Sequence, residues 1–367
     1  MPQAKYLLIA STRAYSGKSA TILGLAIHLQ TLGFKIGYGK PLGTFTTQTL
    51  PESSQGVDAD VEFITQTLKL PEALVQPSLI NLDKSTLKRR LTREDTTDYQ
   101  AAFKQQYQNT EGDLVFIEAP ANTAEGAMFG LSLREMSDCI EVPILLVCRF
   151  GSLLVADHLL KAKERLGDRL LGAVINDIPE SQLEICRDIM VPFLESMGIP
   201  ILAIMPEDRI LRSVSVQELV DQLQAAVLYS PEHSSLSDVM VEDLKIGAMD
   251  VNSAQLFFRN SYNKAVITGS NRLDIQLAAL ETSTNCLVLT GPPSISAEVL
   301  QRATEYEVPI LSVPQDTLTT VEIIERCLGQ VRLHEGVKVR SIRNMMAKHF
   351  NFDRLLSILD IKPAVSV

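Results

Sequence analysis

A cluster of hydroxyls around one lysine could hold phosphate, and residues Ser11-Thr12-Arg13-Ala14-Tyr15-Ser16-Gly17-Lys18-Ser19 bring such groups together in nine consecutive positions. Phosphate oxygens need several convergent donors, and a strand-to-helix turn supplies them, because the first backbone N–H groups of a helix have no partner inside it. In such a turn Ser16 and Gly17 line the loop, and Gly17 lets the backbone come close to the ligand. Lys18 brings a point charge to the β- and γ-phosphates of a nucleotide, and the Ser19 hydroxyl suits Mg²⁺, a cation that keeps most of its waters and takes few protein ligands. The first glycine usual in such a loop is missing.

The flanking elements must then be a strand and a helix. Lys5-Tyr6-Leu7-Leu8-Ile9-Ala10 is apolar, as a buried strand requires, and Thr21 to Leu32 puts Ile22, Leu25, Ala26, Leu29 and Leu32 at helical spacing, with Gly33 as the stop. Further short apolar runs alternate with helical stretches at Lys35–Lys40, Asp113–Ala119, Val142–Cys148, Leu170–Asn176 and Pro200–Met205. This alternation predicts an α/β fold with a doubly wound parallel sheet covered on both faces. Ligands of such sheets bind beyond the carboxyl ends of the strands, so the residues to watch are Lys40, Glu118, Arg149, Asn176 and Pro206.

From about Arg212 the pattern restarts. Val216–Val227 reads as a connecting helix, followed by strands at Lys245–Met249, Lys264–Thr268, Cys286–Thr290 and Pro309–Val313. Val266-Ile267-Thr268-Gly269 and Val288-Leu289-Thr290-Gly291 echo one another as strand-turn units. The stretch Leu333 to Leu359 reads as helical, and its basic residues Lys338, Arg340, Arg343, Lys348 and His349 suit a solvated face better than a nucleic-acid patch.

Composition narrows the function classes. A length of 367 residues suggests two domains, each able to bury a core. The net charge of −10 disfavours sequence-independent nucleic-acid binding, which depends on Lys and Arg neutralising phosphates. No apolar run has the length of a membrane span, and no signal-peptide pattern precedes the first strand, so no membrane partner is expected. The five cysteines are scattered, without a C-x-x-C pair, which predicts neither disulfides nor a zinc site and fits a reducing cytoplasm.

The residues from 1 to about 210 resemble dethiobiotin synthetase, and more closely the synthetase-like domain at the N-terminus of many bacterial phosphate acetyltransferases. The resemblance rests on Ser11–Ser19, Lys40-Pro41, Asp60, Glu118 and Val174-Ile175-Asn176. The second part resembles the DRTGG domain through Ile246-Gly247-Ala248-Met249, Ile267-Thr268-Gly269, Arg272-Leu273-Asp274-Ile275, Leu289-Thr290-Gly291 and Asp316-Thr317. It implies a P-loop NTPase-type domain over residues 1–210, a smaller DRTGG-like α/β domain over 211–330, and a helical tail over 331–367.

By the same resemblance, ATP and Mg²⁺ are the cofactors, with Ser16, Gly17, Lys18, Ser19 and Asn176 around the nucleotide and Ser19, Asp60 and Glu118 around the metal. Asn176 would read the adenine edge, or else serve as a turn residue. Asp60 reads equally as a metal ligand and as a helix N-cap, with Asp58 as the alternative candidate. Glu118 at an apolar strand end calls for a metal or a lysine partner, because an unpaired charge there is costly. Lys40 could bridge a carboxylate substrate and the γ-phosphate.

Arg13, five positions before Lys18, stands where the deviant loops of partition-type ATPases place a lysine that reaches a partner subunit's phosphates; it is either such a trans-acting cation or an exposed loop arginine. Relatives with these domains tend to be homodimers. Lys84, Lys88, Arg89, Arg90 and Arg93 could bind an anionic small molecule or form a solvated helix face balanced by Glu94 and Asp95.

The departures from the family also bear on function. The segment Glu118-Ala119-Pro120-Ala121-Asn122 lacks the glycines of the synthetase substrate pocket, and Ala14 and Tyr15 replace small polar and acidic residues, so biotin synthesis is not expected. Nor is acetyl transfer, whose catalytic domain would have to follow the DRTGG part. In that part Gly269-Ser270-Asn271-Arg272 lacks the acidic residue usual before the arginine. The expected function is a nucleotide-responsive regulatory or scaffold protein with a protein partner. The alternatives are an ATP-dependent ligase that activates a carboxylate, with Lys18, Lys40 and Arg13 in catalytic roles, and an interaction module that binds no nucleotide.

Overall fold

The longest apolar runs of the N-terminal region become the middle of one parallel sheet in the computed structural model, which describes residues 5–43, 58–108, 110–329 and 335–362. The chain divides into two compact units, Met1–Glu207 together with Ile342–Val367, and Asp208–Ser341. In the first unit the main sheet consists of β1 (Lys5–Ser11), β2 (Ile36–Gly39), β3 (Val75–Gln76), β4 (Leu114–Glu118), β5 (Ile144–Arg149), β6 (Leu170–Ile178) and β7 (Ile201–Pro206). They lie in the order β3-β2-β4-β1-β5-β6-β7, with every pairing parallel.

Leu7, Leu8, Ile9, Val115, Phe116, Ile117, Leu145 and Leu146 are all fully buried, so side chains pointing to both faces of the sheet are covered, as continuous apolar strands demand. The predicted strands are all present. The sheet also includes the two-residue β3, which is too short to leave a periodic signal. With β4 on one side of β1 and β5 on the other, the chain departs in both directions from β1, and the end of β1 opens at a switch point of the kind where α/β sheets bind ligands.

The helix after β1, α1 (Lys18–Thr31), buries Ile22, Leu23, Gly24, Leu25, Ala26 and Leu29. A helix apolar on nearly all sides needs cover on more than one face. The sheet covers one, and the C-terminal segment covers another. A Cβ at Gly24 would lie 2.3 Å from Met346 Cγ and 3.1 Å from Ile342 Cγ2, so that segment approaches α1 as closely as only glycine permits. Farther along, the His28 and Phe352 rings stack at 3.6 Å, Phe350 bridges Ala203 of β7, and the Asn351 amide donates to Leu202 O at 2.8 Å.

In the second unit β8 (Ala226–Tyr229), β9 (Asp243–Ile246), β10 (Lys264–Gly269), β11 (Thr284–Thr290) and β12 (Ile310–Val313) are ordered β8-β12-β11-β10-β9. Within this sheet β8 runs antiparallel to β12 and the other pairings are parallel. Here the structure corrects the predicted helix Val216–Val227. The helix is Val216–Leu223, capped by Ser215 and ended by Gln224 in the left-handed conformation, and the residues after it form the edge strand β8. Lys264 at the start of β10 is fully buried, with its ammonium on Ser261 O (3.2 Å) and Ser283 O (2.8 Å); burial pushes its pKa down to about 8.

The predicted tail begins outside the described residues, which resume at Glu335, and it forms helices Gly336–His349 and Phe352–Leu359. One of its basic residues departs from the expected solvated face: Lys338 is fully buried, 2.9 Å from Glu335 Oε2.

Candidate functional site

The loop between β1 and α1 turns on two left-handed residues, Tyr15 at φ 54° and Gly17. Gly17, the N-cap of α1, has φ 98° and ψ 22°, a region that costs any residue with a Cβ. With Gly17 in this shape the helix starts at Lys18, three positions before the predicted Thr21, and both the amide and the hydroxyl of Thr21 donate back to Gly17 O at 2.9 Å. The loop is tied to itself by Ser16 Oγ, which donates to Arg13 O at 2.8 Å. Ser11 Oγ lies 2.8 Å from Arg13 O and 3.1 Å from Ala121 O.

Lys18 folds back over this loop and donates to Ser11 Oγ at 3.1 Å. The ammonium is buried, and burial lowers its pKa against the opposing pull of Glu118 and Glu125. A buried cation with a neutral hydroxyl as hydrogen-bond partner gains most from an incoming anion, since desolvation has already been borne in folding.

The parallel register places the end of β4 beside β1, with Glu118 opposite Ile9, and so carries the Glu118 carboxylate under the start of α1. Ser19 Oγ donates to Glu118 Oε1 at 2.9 Å, and Tyr38 Oη, from the next strand β2, donates to Oε2 at 2.7 Å. Burial first, then the neighbouring Glu118 carboxylate, hold the Tyr38 phenol well above its usual pKa, so it stays a donor. Ser19 and Glu118 are hard oxygen donors beside a buried lysine, a set that fits Mg²⁺ and its preference for few protein ligands. Among the described residues no three His, Cys, Asp or Glu side chains converge as a cage, which a cation that keeps its waters does not need.

Lys40, just past β2, is buried and meets two carboxylates, Asp58 Oδ2 at 2.8 Å and Asp60 Oδ2 at 3.0 Å. Burial works against its charge, but Glu118, Asp60 and Asp58 together overcome that and raise its pKa above the ordinary lysine value. Of the two, Asp58 and not Asp60 takes the helix N-cap. Asp58 is the N-cap of α2 (Ala59–Leu68) and accepts from the amides of Asp60 and Val61, whereas the more exposed Asp60 sits in the first turn with its carboxylate on Lys40.

Asn176, near the end of β6, donates from Nδ2 to Ser16 O at 3.0 Å and lies so close to Gly17 that a Cβ there would be 2.4 Å from Nδ2. Its amide therefore braces the loop. Arg149 pairs with Asp177 at 2.6 Å. Arg13 is exposed, its guanidinium 3.3 Å from His158 Nε2 on the helix Val155–Leu166. Of the basic cluster, Arg90 is spent on structure: it donates to Met128 O, Asp95 O and Thr97 O and lies over the Tyr99 and Phe129 rings. Lys84, Lys88, Arg89 and Arg93 are exposed.

Two residues at this site carry no motif signal. Tyr38 lies in an apolar strand, and Glu125, which accepts from Ala121 N at 2.5 Å and bears on Lys18, lies in a loop.

Comparison with known proteins places both domains in families. Residues 5–215 match the AAA domain family and residues 218–327 the DRTGG domain. Phosphate acetyltransferase of Nitratidesulfovibrio vulgaris is 24% identical over 383 aligned residues, which take in 96% of this chain and 51% of the relative. The chain thus spans about half the length of that curated relative, its N-terminal part.

Among solved structures, the septum site-determining protein MinD of Pyrococcus horikoshii with Mg-ADP is 20% identical with a TM-score of 0.35, covering 57% of this chain and 84% of its own. The signal recognition particle receptor FtsY of Elizabethkingia anophelis is 14% identical with a TM-score of 0.35, covering 56% and 59%. The CBS and DRTGG regulatory region of a Clostridium perfringens pyrophosphatase, bound to diadenosine tetraphosphate, is 16% identical with a TM-score of 0.29, covering 47% and 85%. With a P-loop in place at the switch point and a family match over more than half its length, the chain belongs to the AAA domain family, in its dethiobiotin synthetase-like P-loop form, with a DRTGG domain following.

Proposed function

We propose that the N-terminal unit binds ATP with Mg²⁺ and that the protein works as a nucleotide-responsive regulatory or scaffold module. The observation that carries this reading is the 2.9 Å contact between Ser19 and Glu118, residues 99 apart in sequence, beside a buried Lys18 that donates to the Ser11 hydroxyl. In this reading Lys18 and the first amides of α1 hold the phosphates. Ser19 and Glu118 would hold the metal, whose contribution is to neutralise phosphate charge. Asn176 keeps the loop in its receptive shape. The eroded glycines after Glu118 favour binding and response over synthesis.

Titration calorimetry with ATP and Mg²⁺ on the full chain and on Lys18→Ala tests the reading. Binding by the unsubstituted chain and its loss in the variant are expected, and absence of binding by the unsubstituted chain refutes it. A second reading, an ATP-dependent ligase, is favoured by Lys40, a buried cation between two carboxylates at the same strand ends, suited to meet a carboxylate substrate. Phosphate release that rises only when a carboxylate metabolite is added would select it.

A further inference from the structure

Tyr38 engages one oxygen of Glu118 from inside the core, and that geometry bears on which cation the site takes. Tyr38 is opposite Phe116 in the β2–β4 pairing, two residues before Glu118, so its hydroxyl must reach about 6–7 Å along the sheet. The tyrosine side chain is long enough to do so, and its hydroxyl meets Oε2 at 2.7 Å while the ring is fully buried. The flanking glycines hold the strand where this is possible. A Cβ at Gly39 would lie 2.2 Å from Tyr107 Oη and 2.7 Å from Gln76 Cβ, and one at Gly37 would lie 3.0 Å from Val115 Cγ2. Oε1 is thus the oxygen turned toward Ser19, and Oε2 is the one held back.

We propose that Tyr38 is a positioning residue that restricts Glu118 to one-oxygen contact with a metal and so makes the site select Mg²⁺ over Ca²⁺. Ca²⁺ accepts carboxylates with both oxygens and a loose shell of six to eight ligands, whereas Mg²⁺ requires near-octahedral geometry and retains its waters. A carboxylate with one oxygen already bonded inside the protein serves the second cation and denies the first its two-oxygen contact.

The inference rests on the Mg-nucleotide reading above, and the test separates the two. ATP is titrated into the full chain and into Tyr38→Phe in the presence of Mg²⁺ alone and of Ca²⁺ alone, with circular dichroism to verify folding. The unsubstituted chain is expected to bind ATP more tightly with Mg²⁺, and Tyr38→Phe to narrow the Mg²⁺-to-Ca²⁺ affinity ratio by roughly tenfold, the loss of one hydrogen bond to a charged group. Should Tyr38→Phe not fold, the unsubstituted chain decides by itself, and equal ATP affinity with Mg²⁺ and with Ca²⁺ overturns the proposal. An unaltered ratio in the folded variant overturns the role of Tyr38 while leaving nucleotide binding intact. No ATP binding by the unsubstituted chain with either cation overturns both.

Discussion

Replacing Gly17 by alanine attacks the loop where backbone shape and side-chain packing meet. Two costs can be worked from the structure. At φ 98° and ψ 22° the backbone sits where a Cβ is strained, for roughly 1–3 kcal/mol. The added methyl would also stand 2.4 Å from Asn176 Nδ2 and 3.4 Å from its Cγ, which forces the amide off Ser16 O and loses a hydrogen bond of about 1 kcal/mol. The sum is roughly 2–4 kcal/mol. Urea unfolding followed by circular dichroism measures it, in the transition that belongs to the N-terminal unit.

The same substitution in an Asn176→Ala background meets no amide and loses no hydrogen bond, so it costs the strain alone. The cycle then yields a coupling of about 1 kcal/mol between the two positions. Nucleotide affinity falls with the loop, by roughly tenfold or more. A Gly17→Ala chain destabilised by less than about 0.5 kcal/mol, or equally in both backgrounds, would refute the account of how Asn176 and Gly17 hold the loop.

Two further outcomes follow from buried lysines. Lys40→Met strips the cation from Asp58 and Asp60 and is expected to cost roughly 3 kcal/mol in urea unfolding, with Asp58→Asn in the same chain returning part of it. Lys264 has a folded pKa lowered to about 8, below its unfolded value of 10.5, so the unfolded chain holds the extra proton between those values and stability rises with pH across that window. Thermal unfolding in steps from pH 7 to 10 should show this rise in the unsubstituted chain and a flatter profile in Lys264→Met; identical profiles would exclude it.

Much of the framework is legible in the residues. Continuous apolar runs such as Leu7-Leu8-Ile9 and Val115-Phe116-Ile117 announce buried parallel strands because both faces of such strands must be covered. Edge elements escape this logic. Ala226–Tyr229 continues the apolar content of the helix before it, and what makes it a strand is the open edge of Ile310–Val313. The division of labour between Asp58 and Asp60 escapes it too, since both residue types suit a helix start and only the backbone shows which carboxylate meets the amides.

The order Gly17-Lys18-Ser19 between an apolar strand and a helix determines, by local backbone chemistry alone, that a phosphate-sized anion can be met at the start of α1. Helix termini and left-handed glycines are short-range matters, written within a few positions of one another. The tertiary structure decided what surrounds that loop. Strand register brings Glu118 to Ser19 across 99 residues and Tyr38 to Glu118 across 80, a strand end brings Asn176 to Ser16 across 160, and the C-terminal segment reaches α1 at Gly24. These contacts join parts of the chain that only the packed sheet places together, because a side chain reaches a few ångströms and its partner's distance in sequence leaves no local trace.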